Sequence, residues 1–170
     1  MAVSSIRKTF RDTSITLQDG KSPSPNTLTL TTLTTSLSVT IPGAEVVHNL
    51  ERGAIASTPN LRHGNERPMT FSMEAVVTDF SDGTDEILAD LFLKNDIGAG
   101  WVSTLDANGN AEVMALNVLI GVEGLDHGDA ADHAFTLPHC VMEGTFDESG
   151  EFWTLSISGT SYANRPSSTT

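Results

Sequence analysis

Between Met69 and Val77 apolar and polar side chains alternate. Met69, Phe71, Met73, Ala75 and Val77 fall on one side, with Thr70, Ser72, Glu74 and Val76 between them. A period of two buries one face and leaves the other mostly wet, so the stretch predicts a half-buried strand. The turn cluster Ser81-Asp82-Gly83 ends it, and the period then changes. Ile87, Leu88, Leu91 and Phe92 share one helical face. Asp85 and Glu86 sit in the first turn and Lys94 in the last, where the helix dipole favours them, with Thr84 as N-cap and Gly98 beyond the end. The pattern therefore predicts one amphipathic helix over about residues 84–94. Its apolar stripe has only strands to pack on, so it is expected on the flank of a β structure.

The rest of the chain reads as strands and turns. Ile15 and Leu17 share a face in a strand that closes at Asp19-Gly20, and a Ser-Pro-Ser-Pro loop follows. From Asn26 to Ile41 threonine, serine, leucine and valine suit strands, but the phase shifts: Leu28 and Leu30 are in one register, Leu33, Leu37, Val39 and Ile41 in the other. One extra residue near Thr31-Thr32, as a bulge or as a turn between two strands, accounts for the shift. Pro42-Gly43 opens a long region, residues 43–67, whose Val46, Val47, Leu50, Ile55 and Leu61 keep no steady period. A connection of that length is uncommon inside a compact domain and is often functional. The plain alternative is a short strand flanked by surface loops.

Trp101–Leu105 reads as a strand, Asn108-Gly109 as a hairpin turn, and Ala111–Val122 as the return strand. One face of that return carries Met114, Leu116, Val118, Ile120 and Val122, the other Val113, Ala115, Asn117 and Leu119. Both faces are largely apolar, so a second cover is expected, either the helix or a neighbouring subunit. His133–Phe146 is another strand, with Pro138 marking an edge or bulge, and Phe152–Tyr162 is the last, with Trp153, Leu155 and Ile157 on one face. Residues 1–12 are expected to form an N-terminal arm, and the polar tail 164–170 to fray. About seven or eight strands and one helix predict a mainly β fold, a β-sandwich or partly closed barrel with one flanking helix.

Composition narrows the function. The 170 residues fit one domain, and 38% hydrophobic with 18% charged residues is neither a disordered nor a membrane composition. No run is long enough to span a bilayer, and Met1–Phe10 lacks the apolar core of a signal peptide. The single cysteine, Cys140, excludes an internal disulfide, and its sequence neighbour His139 points to the other face of the strand, so the residue reads as a buried apolar group. A net charge of -13 argues against a basic nucleic-acid groove, though not against a channel that a polyanion slides through.

Candidate chemistry is sparse. His127, His133 and His139 are evenly spaced among Asp126, Asp129 and Asp132, but the first lies in a loop and the other two stand too far apart along one strand to share an ion. The run Asp106 to Glu112 has some calcium-loop residues without the required glycine and terminal glutamate, and the hairpin turn explains it more simply. No nucleophile elbow, phosphate loop or dinucleotide fingerprint occurs, and 6% aromatic residues is low for a sugar-binding surface. Trp101 and Trp153 are both expected in the core. No cofactor, metal or catalytic set is expected.

Several stretches together resemble the major tail tube proteins of tailed bacteriophages, a family akin to the tube protein of type VI secretion. They are Ile15-Thr16-Leu17-Gln18-Asp19-Gly20; Ser38-Val39-Thr40-Ile41-Pro42-Gly43 with Glu45 and Arg52-Gly53; Arg62-His63-Gly64-Asn65-Glu66-Arg67-Pro68 before the alternating strand; the helix 85–94; and Glu151–Gly159. The resemblance covers most of the chain through order and spacing and rests on no single diagnostic motif. It implies a structural, non-enzymatic virion protein, made in the host cytoplasm, that assembles into hexameric rings stacked as a tube for genome ejection. It also implies partners: the chain itself, a tape-measure protein, a tail terminator and a distal tail protein, with DNA passing unbound through an electronegative lumen and no membrane. Glu45, His48, Glu51, Arg52, Arg62, His63 and Arg67 then become candidates for a loop between subunits or rings, and Val113, Ala115, Asn117 and Leu119 for an inner-sheet or interface strand. The alternatives are a ring-forming tail terminator or distal tail protein of the same fold, and a monomeric carbohydrate-binding β-sandwich.

Overall fold

The computed structural model of the chain describes residues 13–30, 37–43, 45–49, 60–63, 67–77, 101–106, 113–124, 131–148, 150–163 and 166–169. Its strands are β1 (Thr13–Gln18), β2 (Thr27–Leu30), β3 (Ser38–Thr40), β4 (Val46–Asn49), β5 (Asn60–His63), β6 (Met69–Val76), β7 (Leu116–Val122), β8 (His133–Asp147), β9 (Thr154–Ser161) and β10 (Ser167–Thr169). The main sheet is antiparallel with the order β2-β1-β7-β8-β9-β6-β3, and β10 pairs with β8 off that path. The expected helix 84–94 and the expected arm 1–12 lie outside the described residues.

The period-two pattern of β6 becomes alternating burial, with Met69, Phe71, Met73 and Ala75 inside. Across the ladder β9 puts Leu155 opposite Ala75, Ile157 opposite Met73 and Gly159 opposite Phe71. Gly159 is needed there, because an added Cβ would lie 2.5 Å from the Phe71 ring and 2.8 Å from the Val141 carbonyl oxygen. Ile15, Leu17, Leu116, Val118, Ile120, Leu137 and Cys140 carry the same core across β1, β7 and β8. Burying each of the larger of these side chains stabilises the fold by about 1.5–3 kcal/mol.

The sheet cannot be flat. Through the ladders Leu30 of β2 lines up with Phe135 of β8, and Ser38 of β3 with Glu143, eight residues further along β8. Flat, with six strand spacings between them, the two would stand about 39 Å apart. Eight residue steps of chain reach at most about 29 Å. The sheet therefore folds over on itself, and the fold line lies in β8. The register of β7 with β8 slips between Leu116–Cys140 and Val118–Leu137, leaving Pro138 and His139 opposite Asn117 alone, and His139 has φ 52°. This is a β-bulge, the outcome that Pro138 signalled. The first half of β8 thus belongs with β7, β1 and β2, and the second half with β9, β6 and β3. Among the described residues β2 and β3 each pair on one side only, so both ends of the sheet are open edges.

Several expectations are corrected. Residues 101–105 are not a strand: they bend through a turn and bond to the stretch before β7. Trp101 is buried as expected, but Trp153 is 42% exposed. The tail does not simply fray, since Ser167–Thr169 pairs with Ala134–Thr136. The two registers before and after Thr31 are two strands, as one reading had it, yet they lie on opposite edges rather than side by side. The region 43–67 contains a separate antiparallel pair, β4 with β5, within what the sequence left as loop.

Candidate assembly surfaces

The fold line is fastened by side chains. Asp19, 2% exposed, ends β1 and accepts four N–H groups: Lys21 N and Asn26 N on Oδ1 at 3.2 and 2.7 Å, Asn26 Nδ2 and Val102 N on Oδ2 at 3.0 and 3.1 Å. It thereby ties the β1–β2 turn to a segment 83 residues away. Gly20 donates its N–H to the Val102 carbonyl at 2.8 Å, and the contact is so close that a Cβ there would sit 2.5 Å from the Ser103 carbonyl oxygen. Ser103 and Thr104 then hold residues 113–115: Ser103 Oγ donates to the Val113 carbonyl at 2.9 Å and accepts Ala115 N at 3.1 Å, and Thr104 N donates to the Ala115 carbonyl at 2.8 Å.

The same corner satisfies the bulge. Asn117 Oδ1 accepts His139 N at 3.3 Å, His139 Nδ1 lies 3.1 Å from Thr104 Oγ1, Ser161 Oγ donates to the Pro138 carbonyl at 2.6 Å, and Tyr162 N donates to the His139 carbonyl at 3.3 Å. Cys140 is fully buried beside them, its Sγ 3.1 Å from the Leu137 carbonyl. Burial pushes its thiol from 9.0 up to about 11, only partly countered by hydrogen bonds from Ser161 and Val118. It is a packed group, as expected from sequence, and not a nucleophile at neutral pH.

The outer face of the β3-β6-β9-β8 half is built from cross-strand rows of small hydroxyls. Thr40, Thr70 and Thr160 form one row with Val141, and Ser38, Ser72 and Ser158 form the next with Glu143. Glu74, Glu143 and Asp147 are the charged groups on this face, and no cation stands among its described residues. A shallow groove of about 360 Å³ crosses it between Thr70, Glu143, Ser158 and Tyr162, with Tyr162 its only exposed ring. On the other half the outer face is also hydroxyl-bearing, with Thr16 Oγ1 3.1 Å from Thr29 Oγ1, but carries no charge between Gln18 and Gly121.

The sequence-derived candidates are dispersed. Val113 is exposed, Ala115 is fully buried, and Asn117 and Leu119 are half-buried on the β7 face turned away from the core. Glu45 and Arg67 are exposed. His48, Arg62 and His63 lie in the β4–β5 pair, opposite Leu61, Val47 and Val46. Glu51 and Arg52 lie outside the described residues, as do His127 and the run 107–112. His133 starts β8 and His139 sits in the bulge, and among the described residues no three metal-ligating side chains come together. Sequence reading missed the buried carboxylate of Asp19, which it saw only as half of a turn dipeptide, and the exposed aromatic pair Phe152-Trp153.

No family model matches the chain, and no curated protein matches its sequence. Its fold is similar to that of a chain in the cryo-EM structure of the anti-feeding prophage (AFP) baseplate, 6-fold symmetrised. The TM-score is 0.52 at 14% identity, over 99% of this chain and 97% of the other. At that identity the likeness is one of fold.

Proposed function

We propose that this chain is a structural, non-enzymatic subunit of a phage-tail-like particle, and that it forms six-membered rings stacked into a tail tube. The observation that carries the reading is the fold likeness, which runs over nearly the full length of both chains and links this one to a 6-fold particle assembly. Two features of the molecule support it. Both ends of the main sheet are unpaired edges among the described residues, and edges of that kind invite strand addition by another copy. The β4–β5 pair bonds only to itself among the described strands, and a lone two-stranded hairpin is at best marginally stable in water, so a neighbouring copy is its natural support.

In this reading the hydroxyl-rich face with Glu74, Glu143 and Asp147 lines the lumen. Its carboxylates repel phosphate, and its short side chains offer no cation to hold it, so DNA slides through without specific binding. The hairpin β4–β5, with Glu45, Arg62 and Arg67, bridges copies. A tape-measure protein, a tail terminator and a distal tail protein are the further partners, and the particle is the location.

A second reading is favoured by the baseplate setting of the similar structure: a component that forms one ring and stops. Negative-stain electron microscopy with light scattering separates the two. Hollow tubes support the tube subunit, single rings support the baseplate-type component, and a clean monomer at high concentration contradicts both.

A further inference from the structure

We infer that the end of the β8–β9 hairpin, Glu148 with residues 150–153, is a docking surface for a second copy of this chain, received at that copy's arginine-bearing end. The inference rests on the self-assembly reading above and names the contact between successive copies. Phe152 is 51% exposed and Trp153 42%, adjacent in sequence on the same tip. The backbone at Trp153 is tied to the sheet: Val77 N donates to the Trp153 carbonyl at 3.0 Å, which extends the β6–β9 ladder by one bond. Large aromatics on an ordered backbone are the side chains from which protein-protein hot spots are built. The exposed carboxylates Asp147, Glu148 and Glu151 precede them on the same hairpin end.

The partner follows from charge and topology. In the β6–β9 ladder Val76 pairs with Thr154 beside the tip, and Met69 pairs with Ser161 at the other end. Seven residue rises, about 23 Å, separate the two ends. The cations among the described residues are Lys21, Arg62 and Arg67, and all three belong to the far end. Arg67 is exposed two residues before Met69, Arg62 lies on the hairpin that leaves from and returns to that end, and Lys21 lies at the fold-line corner, where Cys140 pairs with Ser161. Among the described residues, one end of the β6–β9 ladder thus carries exposed aromatics beside carboxylates, and the other end carries all three cations, together with Glu45 and Asp106. Two different surfaces that complement each other at opposite ends give head-to-tail association, which continues from copy to copy instead of closing as a dimer. The aromatic rings supply the desolvated centre and the carboxylate-guanidinium pairs supply the rim and the direction.

The test uses the whole chain. Trp101→Phe leaves Trp153 as the sole tryptophan and keeps a ring in the core. Its emission is expected to shift to the blue, and its acrylamide quenching to fall, as concentration drives assembly. In the otherwise wild-type chain, Phe152→Ser with Trp153→Ser, and separately Glu148→Lys with Glu151→Lys, are expected to keep the native circular dichroism, weaken longitudinal association at least about tenfold, and leave single rings in place of tubes. Adding Arg62→Glu and Arg67→Glu to the lysine variant should restore part of the association. Tubes of normal length from both tip variants, or Trp153 emission unchanged while the chain assembles, would overturn this inference and leave the self-assembly reading intact. A chain that stays monomeric with unchanged emission at every concentration would overturn both.

Discussion

Asp19 shows how one side chain sets the shape of a corner. Its side chain is buried and takes four N–H groups from two separated segments. Asp19→Ala leaves those donors short of acceptors in a site largely closed to water, and is expected to lower stability by about 2–4 kcal/mol, read as a fall in the urea midpoint with an unchanged slope. A shift under half a kcal/mol would mean that the corner is held by something else. Cys140 gives a second test. Because its thiol is raised from 9.0 to about 11 by burial, the folded chain holds a proton that the unfolded chain releases between those values. Its contribution to stability is therefore complete below pH 9 and is lost as the pH rises from about 9 towards 11. Cys140→Ala should flatten that decline, and the native protein should leave a disulfide reagent unreacted at pH 8 until urea is added. Rapid modification of the native thiol at pH 8 would contradict the burial.

At the scale of elements, the sequence was most readable where periodicity is governed by a single buried face. β6 and the core face of β7 were legible because Met69 to Ala75 and Leu116 to Ile120 follow the pleat without interruption. Pro138 was legible as a break, since proline cannot donate to a ladder. What could not be read was pairing at a distance. Residues 101–105 look like a strand by composition, but Ser103 and Thr104 spend their hydroxyls on residues 113–115, and the segment bends to suit. Trp153 looks like core by phase with Leu155 and Ile157, but it stands one residue before β9 at the hairpin end, where it is 42% exposed. The pairing of Ser167–Thr169 with β8 has no hydrophobic signal at all. Of the candidate residues, Arg62 lies in the β4–β5 pair and Arg67 is exposed just before β6, whereas the exposed aromatic pair Phe152-Trp153 carries no signal in the sequence pattern. These placements predict opposite outcomes for two substitutions. Val118→Asp puts a charge at a fully buried position and should abolish the native circular dichroism, while Arg62→Glu should leave it unchanged and block assembly. Unfolding of Arg62→Glu, or normal assembly from it, would contradict the role given to the hairpin.

The described residues form a curled antiparallel sheet with two open edges, with the β4–β5 hairpin connected at one end of the β6–β9 ladder and an aromatic tip beside carboxylates at the other. In the proposed assembly each of these features has a use. The edges offer unpaired backbone groups, the tip exposes apolar area, and an overall charge of -13 keeps such surfaces from collapsing onto one another until complementary ends meet. The likeness to a chain of the anti-feeding prophage baseplate is one of fold, and the proposed ring and stack rest on it together with these surfaces. Analytical ultracentrifugation of the wild-type chain over a concentration series tests this most directly. The account predicts that an 18.1 kDa species gives way, as concentration rises, to six-subunit particles and then to heavier multiples of them. A single 18.1 kDa species at every concentration would contradict it.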